Sequence, residues 1–492
     1  MTTVRIALAF LSLLFANSAS AAREQHLCKE PAPVNALLAS FGMNTHMQQG
    51  WQYEDAARTV STLKELGITQ VREAFTGLGH PGLEYAAREG IRFVFIVWPN
   101  SATDVIAALE AWEKRYPGSI LAIEGPNEVN NWPVTYKGNT GIEAAQQFQH
   151  ALYEGVRGSS VLKDIPVLAL TSWPVFPNKS DIGNIHAYSR SGDFISPYIH
   201  GSIVDETTLN PPAKRIWMTE AGYHTHLGED YDEGVSESVQ AKMVLSLYLD
   251  AYAQNLEKTF LYQLANQYTD PNDEQAYFGL VDQQWKPKPS FKALKAMIDI
   301  IGQEAGSGAE PTRRPLSYLL DGMPSTGQQR LFQNESGDWL LVVWNEPIIW
   351  DKEANIEIEN EKSTVVLRLQ REHSKISLLD PLVGTSAVQI ARQSEIFSFV
   401  LDDHPLAIRI QVDERGEAQK SCDQRLPIMP YARCVMQALE HGLGSDPAQG
   451  TYITACMRAA GFVPQSGGLT SAVEYWKWGF PPSARTAPRL TG

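Results

Sequence analysis

Two acids stand four residues apart in AIEGPNEVNNW (122–132): Glu124 inside an apolar run, and Glu128 just past the Gly-Pro-Asn step that ends it. A third, Glu220, ends another apolar run in RIWMTEAG (215–222). Two carboxyls brought together from separate runs can cleave a glycosidic bond. One protonates the leaving oxygen, and the other attacks the sugar or activates water. Glu128 follows Asn127, whose amide can hold a sugar 2-hydroxyl through a bond that strengthens in the transition state. Glu128 is therefore read as the proton donor and Glu220 as the nucleophile. Glu220 must stay ionised, with Arg72 and Tyr188 as the natural partners to hold it so. Glu128 must be kept partly protonated by its surroundings. Glu124 lies deeper in its strand and reads as a buried structural acid paired with a Lys or Arg or bonded to backbone.

These side chains need a scaffold that carries separate runs to one place. Residues 36–300 alternate apolar runs with helical patterns. The runs are FGMNTH (41–46), TQVREAF (69–75), RFVFIVWP (92–99), SILAIEGPNE (119–128), PVLALTSW (166–173), GNIHAYS (183–189), RIWMTEAG (215–222) and TFLYQLAN (259–266). Near-continuous apolar strands separated by helices imply a parallel sheet. Eight such units over this length predict a (β/α)8 TIM barrel, an α/β fold with its active site at the C-terminal strand ends. The rival, an open doubly wound sheet, is disfavoured because no Gly-rich phosphate loop follows any run. The run ends are polar or aromatic throughout, which suits a sugar cleft. The candidate substrate contacts are Arg72, Asn127, His46, Trp98, Trp132, Trp173, His186, Tyr188, Tyr223 and Gln263. His186 either orients its neighbours or touches substrate, and the three tryptophans are sugar platforms or core. YHTHLGEDYDE (223–233) holds an H-x-H step but no third ligand spacing, so no metal is expected. No cofactor is expected either.

The pattern changes after the barrel. Residues 305–412 show period-2 alternation in DWLLVVWNE, STVVLRLQ, SKISLLDPL, IFSFVL and LAIRIQV, which predicts a small antiparallel β-sandwich. A polar linker begins at 413, and two short helical patterns make a cysteine-containing module that ends at 476. Residues 477–492 read as a disordered tail. At the other end, residues 1–21 carry Arg5, an apolar stretch and an Ala-Ser-Ala site, the pattern of a signal peptide cleaved after Ala21. That leaves 22–304 for the barrel and places the protein in a secreted or periplasmic setting. There Cys28, Cys422, Cys434 and Cys456 read as disulfides, with three possible pairings. Cys434–Cys456 would staple the short helices, and Cys28–Cys422 would tie the chain's start to its last module. The net charge of −15 argues against a nucleic-acid or anionic-membrane surface. No later run is long enough to span a bilayer, and a monomer is expected.

EGPNEVNNW together with WMTEAGYHT resembles the Asn-Glu and strand-seven Glu pair of glycoside hydrolase clan A. GMNTH, VREAF, IHAY and FGLVDQQWKPKPSFKAL (278–294) add to the resemblance. Within the clan the chain looks nearest to family 39 and the family 5-like endoglycanases. The likeness covers about 36–300 and, more weakly, the sandwich to 412. It implies retaining hydrolysis with Glu128 as acid/base and Glu220 as nucleophile. The chain departs from many relatives in having Val129 in place of Pro, and Tyr262-Gln263 where some place a Trp. The expectation is a retaining glycoside hydrolase that acts internally on an extracellular polysaccharide or oligosaccharide. The alternatives are an exo-acting, xylosidase-like enzyme and a catalytically silent glycan-binding barrel.

Overall fold

The computed structural model describes residues 27–411 except 102, 191, 211–214, 228–233 and 305–312, together with 463–464 and 476–477. Eight parallel strands run side by side in chain order: β1 (Phe41–Asn44), β2 (Gln70–Ala74), β3 (Arg92–Ile96), β4 (Ile120–Glu124), β5 (Val167–Leu168), β6 (Gly183–His186), β7 (Ile216–Ala221) and β8 (Lys258–Leu261). β8 pairs back onto β1, and a Leu168–Ile182 bridge joins β5 to the start of β6, closing the barrel. The (β/α)8 expectation is met.

The strands are apolar on both faces because one faces the lumen and the other the helices. β4 and β7 are buried along their whole length. Val94, Leu121, Ala122, Leu168, Ile182, Trp217 and Phe260 pack together in the lumen. Phe260 fits because Gly42 has no side chain; a Cβ there would stand 2.4 Å from its ring. This plug closes the lumen, so polar groups at the C-terminal strand ends meet above a solid floor.

The surrounding helices are α1 (Ala56–Leu66), α2 (Pro81–Arg88), α3 (Val105–Arg115), α4 (Ile142–Gly158), α5 (Ser196–Leu209), α6 (Glu237–Ala253) and α7 (Pro289–Gly302). Their ends follow local rules. Asp55 accepts the Arg58 N–H at the start of α1, and Gly67, at φ 86°, ends it. A loop without a helix joins β5 to β6. α6 is buried on nearly every side, as a helix covered by a second layer should be.

That layer is the sandwich: β9 (Leu316–Asp321), β10 (Gly327–Gln333), β11 (Trp339–Asn345), β12 (Ser363–Leu379), β13 (Ala387–Leu401) and β14 (Leu406–Gln411). They pair antiparallel in the order β9-β12-β14-β11-β10, with β13 along β12. β11 is buried on both faces. Trp339, Leu341 and Val343 enter the sandwich core, while Leu340, Val342 and Trp344 pack with the barrel's outer core. The Trp344 indole donates to Asp250 on α6 at 3.0 Å.

Two expectations are corrected. The runs 363–370 and 374–382 belong to a single long strand, β12, whose register shifts between Arg368 and His373. The chain start does not belong to the barrel alone: Leu27–Lys29 pairs with β9 and Ala32–Pro33 with β10. Strands this short carry no periodic signal. A separate compact unit spans Lys420–Gly492, where Val463–Pro464 pairs antiparallel with Trp476–Lys477. The expected signal peptide, linker, short helices and tail fall outside the described residues, as do Cys422, Cys434 and Cys456. Among the described residues no helix is long and apolar enough to cross a membrane.

Candidate active site

Arg72 on β2 is the centre of the rim network. Its side chain is 2 % exposed. Nε and one terminal nitrogen grip Glu124 in a two-pronged pair, at 2.8 and 2.6 Å. The same terminal nitrogen donates to Asn127 Oδ1 at 2.7 Å. The other donates to Asn44 Oδ1 at 3.2 Å and to Glu220 Oε1. Burial disfavours the guanidinium, but Glu124 and then Glu220 outweigh it and hold Arg72 fully charged. Glu124 is thus a buried partner of Arg72, and Glu220 receives one of its N–H groups.

Glu220 has a second donor. The Tyr188 hydroxyl donates to Oε2 at 2.9 Å. Burial and then the Glu220 charge push the Tyr188 phenol well up, so it stays a donor across the ordinary pH range. Both carboxylate oxygens are therefore fixed by groups on β2 and just past β6. Asn44 adds rigidity by donating to the Thr219 and Phe260 carbonyls at 3.0 and 3.1 Å, tying β1 to β7 and β8.

Glu128 sits differently. It lies beyond the end of β4 at φ 39°, in a turn whose N–H bonds from Asn131 and Trp132 return to its carbonyl. Its backbone N–H donates to Thr171 Oγ1 at 2.9 Å. Oε1 meets His186 Nδ1 at 2.9 Å, and Oε2 accepts from Asn131 at 3.1 Å. His186 Nε2 reaches Thr219 Oγ1 at 3.0 Å, and that hydroxyl donates to Asn184 Oδ1 at 2.8 Å. With its one proton so used, the hydroxyl accepts from Nε2–H. The Nδ1–Oε1 contact then holds one proton, on whichever atom it resides. Burial pushes the Glu128 carboxyl up, but the His186 bond and charge win and bring it down to about 2. Burial pulls His186 down, while Glu220 and the Glu128 bond raise it above the usual histidine value. Both shifts favour the proton on the His186 side of the bond, whereas the sequence reading places it on Glu128.

One ligand atom each from Glu128, His186 and Glu220 lie within 4.8 Å of one another. That spacing could hold a cation, but both ring nitrogens of His186 are already engaged. Of the tract 223–233, residues 228–233 lie outside those described.

The remaining expected contacts divide. Trp132 and Trp173 are 62 % and 76 % exposed on the loops after β4 and β5. Trp173 N–H donates to Asn130 Oδ1 at 3.0 Å, joining the two loops. Trp98 is half-buried and packs under the Glu128 turn with Val129, Val134 and Leu170. His46 is bonded to Gln267, and its ring lies 5.4 Å from that of Tyr262. Burial lowers its pKa. The other two are buried. Gln263 is fully buried, with its carbonyl taken by Tyr53 OH at 2.8 Å. Tyr223 is buried, and its phenol lies near Asp250 and Glu346 toward the sandwich. Sequence reasoning missed Thr171 and Thr219, the hydroxyls that set Glu128 and His186. Thr219's position directly before Glu220 was the available signal. Glu73, next to Arg72 on β2, stands among the polar strand ends in the sequence but is given no role there. This buried acid accepts from Thr45 and the Met47 N–H at 3.0 and 2.8 Å, and burial pushes it up to about 8.

Fold and rim together define a closed (β/α)8 barrel backed by a β-sandwich, with its polar network at the C-terminal strand ends. This architecture is similar to that of a family 39 glycoside hydrolase from the gut symbiont Bacteroides cellulosilyticus. The match has 15% identity, covers 77% of this chain and 81% of that one, and has a TM-score of 0.51. A family 39 enzyme from Xanthomonas axonopodis matches at 11% identity over 78% of this chain and 96% of that one, with a TM-score of 0.49. A family 17 β-1,3-glucanosyltransferase from Rhizomucor miehei matches at 14% over 51% and 95%, with a TM-score of 0.42. No protein-family model and no curated protein matches the sequence. At these identities the likeness is one of fold.

Proposed function

We propose that the protein is a retaining glycoside hydrolase, with Glu220 as nucleophile and Glu128 as acid/base. The observation that carries this reading is the pairing of Glu128 and Glu220 across the rim, with carboxylate oxygens within 4.8 Å. Retaining pairs stand about 5–5.5 Å apart, and inverting pairs need about 6.5–9.5 Å to admit a water. The fold shared with a family 39 enzyme agrees with it.

Glu220 attacks the anomeric carbon, and the bond to the leaving oxygen breaks as that oxygen takes a proton from Glu128. The His186–Glu128 bond supplies that proton: its single proton passes from Nδ1 through the Glu128 carboxyl to the leaving oxygen, which leaves His186 neutral. Glu128 is then a carboxylate and takes a proton from the water that releases the sugar from Glu220. Asn127 has its carbonyl committed to Arg72, which leaves its amide N–H for the sugar 2-hydroxyl. The substrate is a polysaccharide or oligosaccharide, cut internally. The leader pattern and the cysteines support action outside the cytoplasm. The test is a screen of purified protein against a polysaccharide panel, with NMR of the first-formed anomer. A product of retained configuration supports the reading. An inverted product, or no hydrolysis of any glycan, contradicts it.

A further inference from the structure

Across the rim from Glu128 lies a groove that the chemistry above does not use. Trp51, Gln52, Glu54 and Asp55, after β1, and Gln283 and Trp285, after β8, line a shallow cavity of about 550 Å³. In a ring of eight strands, β1 and β8 stand opposite β5 and β4, whose loops carry Trp173 and Trp132. Trp51 is 54 % exposed, and Tyr268 stands edge-on to it at 5.8 Å. Trp51, Tyr268 and Trp285 adopt φ values of 56°, 68° and 65°. Bulky side chains enter that region only at a cost, and such strain gathers at functional sites. The groove is joined to the centre of the rim: His46 bonds Gln267, whose amide donates to Gln49 at 2.8 Å, and Tyr268 OH donates to the same oxygen at 3.0 Å.

The lining is rich in acceptors. Gln52 Oε1 is buried without a hydrogen-bond partner, and the Glu54 and Asp55 carboxyls lie beside it. An exposed indole face meets the C–H face of a sugar ring, and the acceptors meet hydroxyl or ammonium donors. Arg58 lies over the Trp285 ring at 5.9 Å, but the two carboxyls outnumber this one cation and disfavour a uronate. The proton donor Glu128 marks the leaving-group side of the cleft, so the opposite rim takes the far end of the chain. We propose that this groove is a distal subsite for a neutral or amino-sugar unit, so that the glycan lies across the barrel face. The proposal rests on the glycosidase reading and adds to it the chain length and charge of the substrate.

The test uses the full chain carrying Glu220→Gln, titrated calorimetrically with cellohexaose, xylohexaose, laminarihexaose, a chitosan hexamer and a galacturonate hexamer, and with the matching trimers. The expected result is binding of at least one non-acidic hexamer, weakened about tenfold by Trp51→Ala and restored by Trp51→Phe. Trimer affinity stays unchanged. The proposal is overturned if Trp51→Ala leaves hexamer affinity intact, if trimers weaken equally, if no non-acidic hexamer binds, or if the galacturonate binds best. Wild-type hydrolysis of a glycan alongside any of these results removes the subsite and leaves the glycosidase reading standing. Full hydrolytic activity in Glu220→Gln removes that reading itself.

Discussion

Glu220 and Glu128 face each other across the rim, yet the chain holds them in opposite ways. Glu220 ends a fully buried strand, and each of its oxygens accepts from a side chain fixed elsewhere in the barrel. Glu128 lies outside any strand, in a strained turn with its side chain 27 % exposed, and its key partner is itself titratable. The first arrangement keeps a charge in one place. The second keeps a proton mobile over a short bond. A double displacement needs both: an anion that never wanders, and an acid that can lose and regain its proton within one turnover.

The sharpest way to break the contrast is to remove the cation that both Glu124 and Glu220 share. Arg72→Met leaves two buried carboxylates unpaired. The expected loss is about 3–5 kcal/mol of unfolding free energy, read from denaturant titration. An unchanged midpoint would mean that Arg72 does not organise the rim. Tyr188→Phe is gentler. It removes one bond to a charged oxygen, typically about 1.5–3 kcal/mol, so kcat/KM should fall roughly 10- to 100-fold with little change in stability. Wild-type kinetics in this variant would show that Glu220 needs no second donor.

His186→Gln probes the mobile side. In the wild type the shared proton leaves at the raised His186 pKa, so the alkaline limb of kcat/KM should lie above the ordinary histidine value near 6.5. Without the imidazole the proton must reside on Glu128 alone, so that limb should move to lower pH. A limb that stays in place would assign the proton to another group. The smallest effect is expected for Asn131→Ala. It removes a single bond to the exposed oxygen of Glu128, and activity should drop only about threefold. A loss as large as that in Tyr188→Phe would mean that Glu128 is held as rigidly as Glu220.

Much of this contrast is legible in the sequence. Barrel strands are buried on both faces, so a carboxylate, Arg or Tyr at the end of an apolar run stands out. Glu124, Glu128, Glu220, Arg72 and Tyr188 are all visible in that way. The rule fails where direction matters more than position. Gln263 and Tyr223 follow apolar runs, but one side chain turns toward Tyr53 and the other toward the sandwich. Thr171 and Thr219 are small and unremarkable in composition, and their roles come from contacts between distant strands. Trp51 lies in a short 3-10 segment with no periodicity to mark it. The polar stretch 371–373 falls between two of the apolar runs, but it contains no Gly or Pro, and β12 runs through it.

The most direct test of the central claim is azide rescue of Glu220→Gln and Glu128→Gln on an activated aryl glycoside, with the configuration of each product read by NMR. In Glu220→Gln no covalent intermediate can form, and the loss should be on the order of 10⁴–10⁶-fold. Azide then takes the nucleophile's place, and the glycosyl azide has inverted configuration. In Glu128→Gln the activated group leaves without a proton, the intermediate on Glu220 accumulates, and azide releases it with retained configuration. Exchanged stereochemistry between the two variants would reverse the assigned roles. An inactive but folded Glu124→Gln rescued like either variant would move the chemistry to the wrong carboxyl of EGPNE and contradict the account.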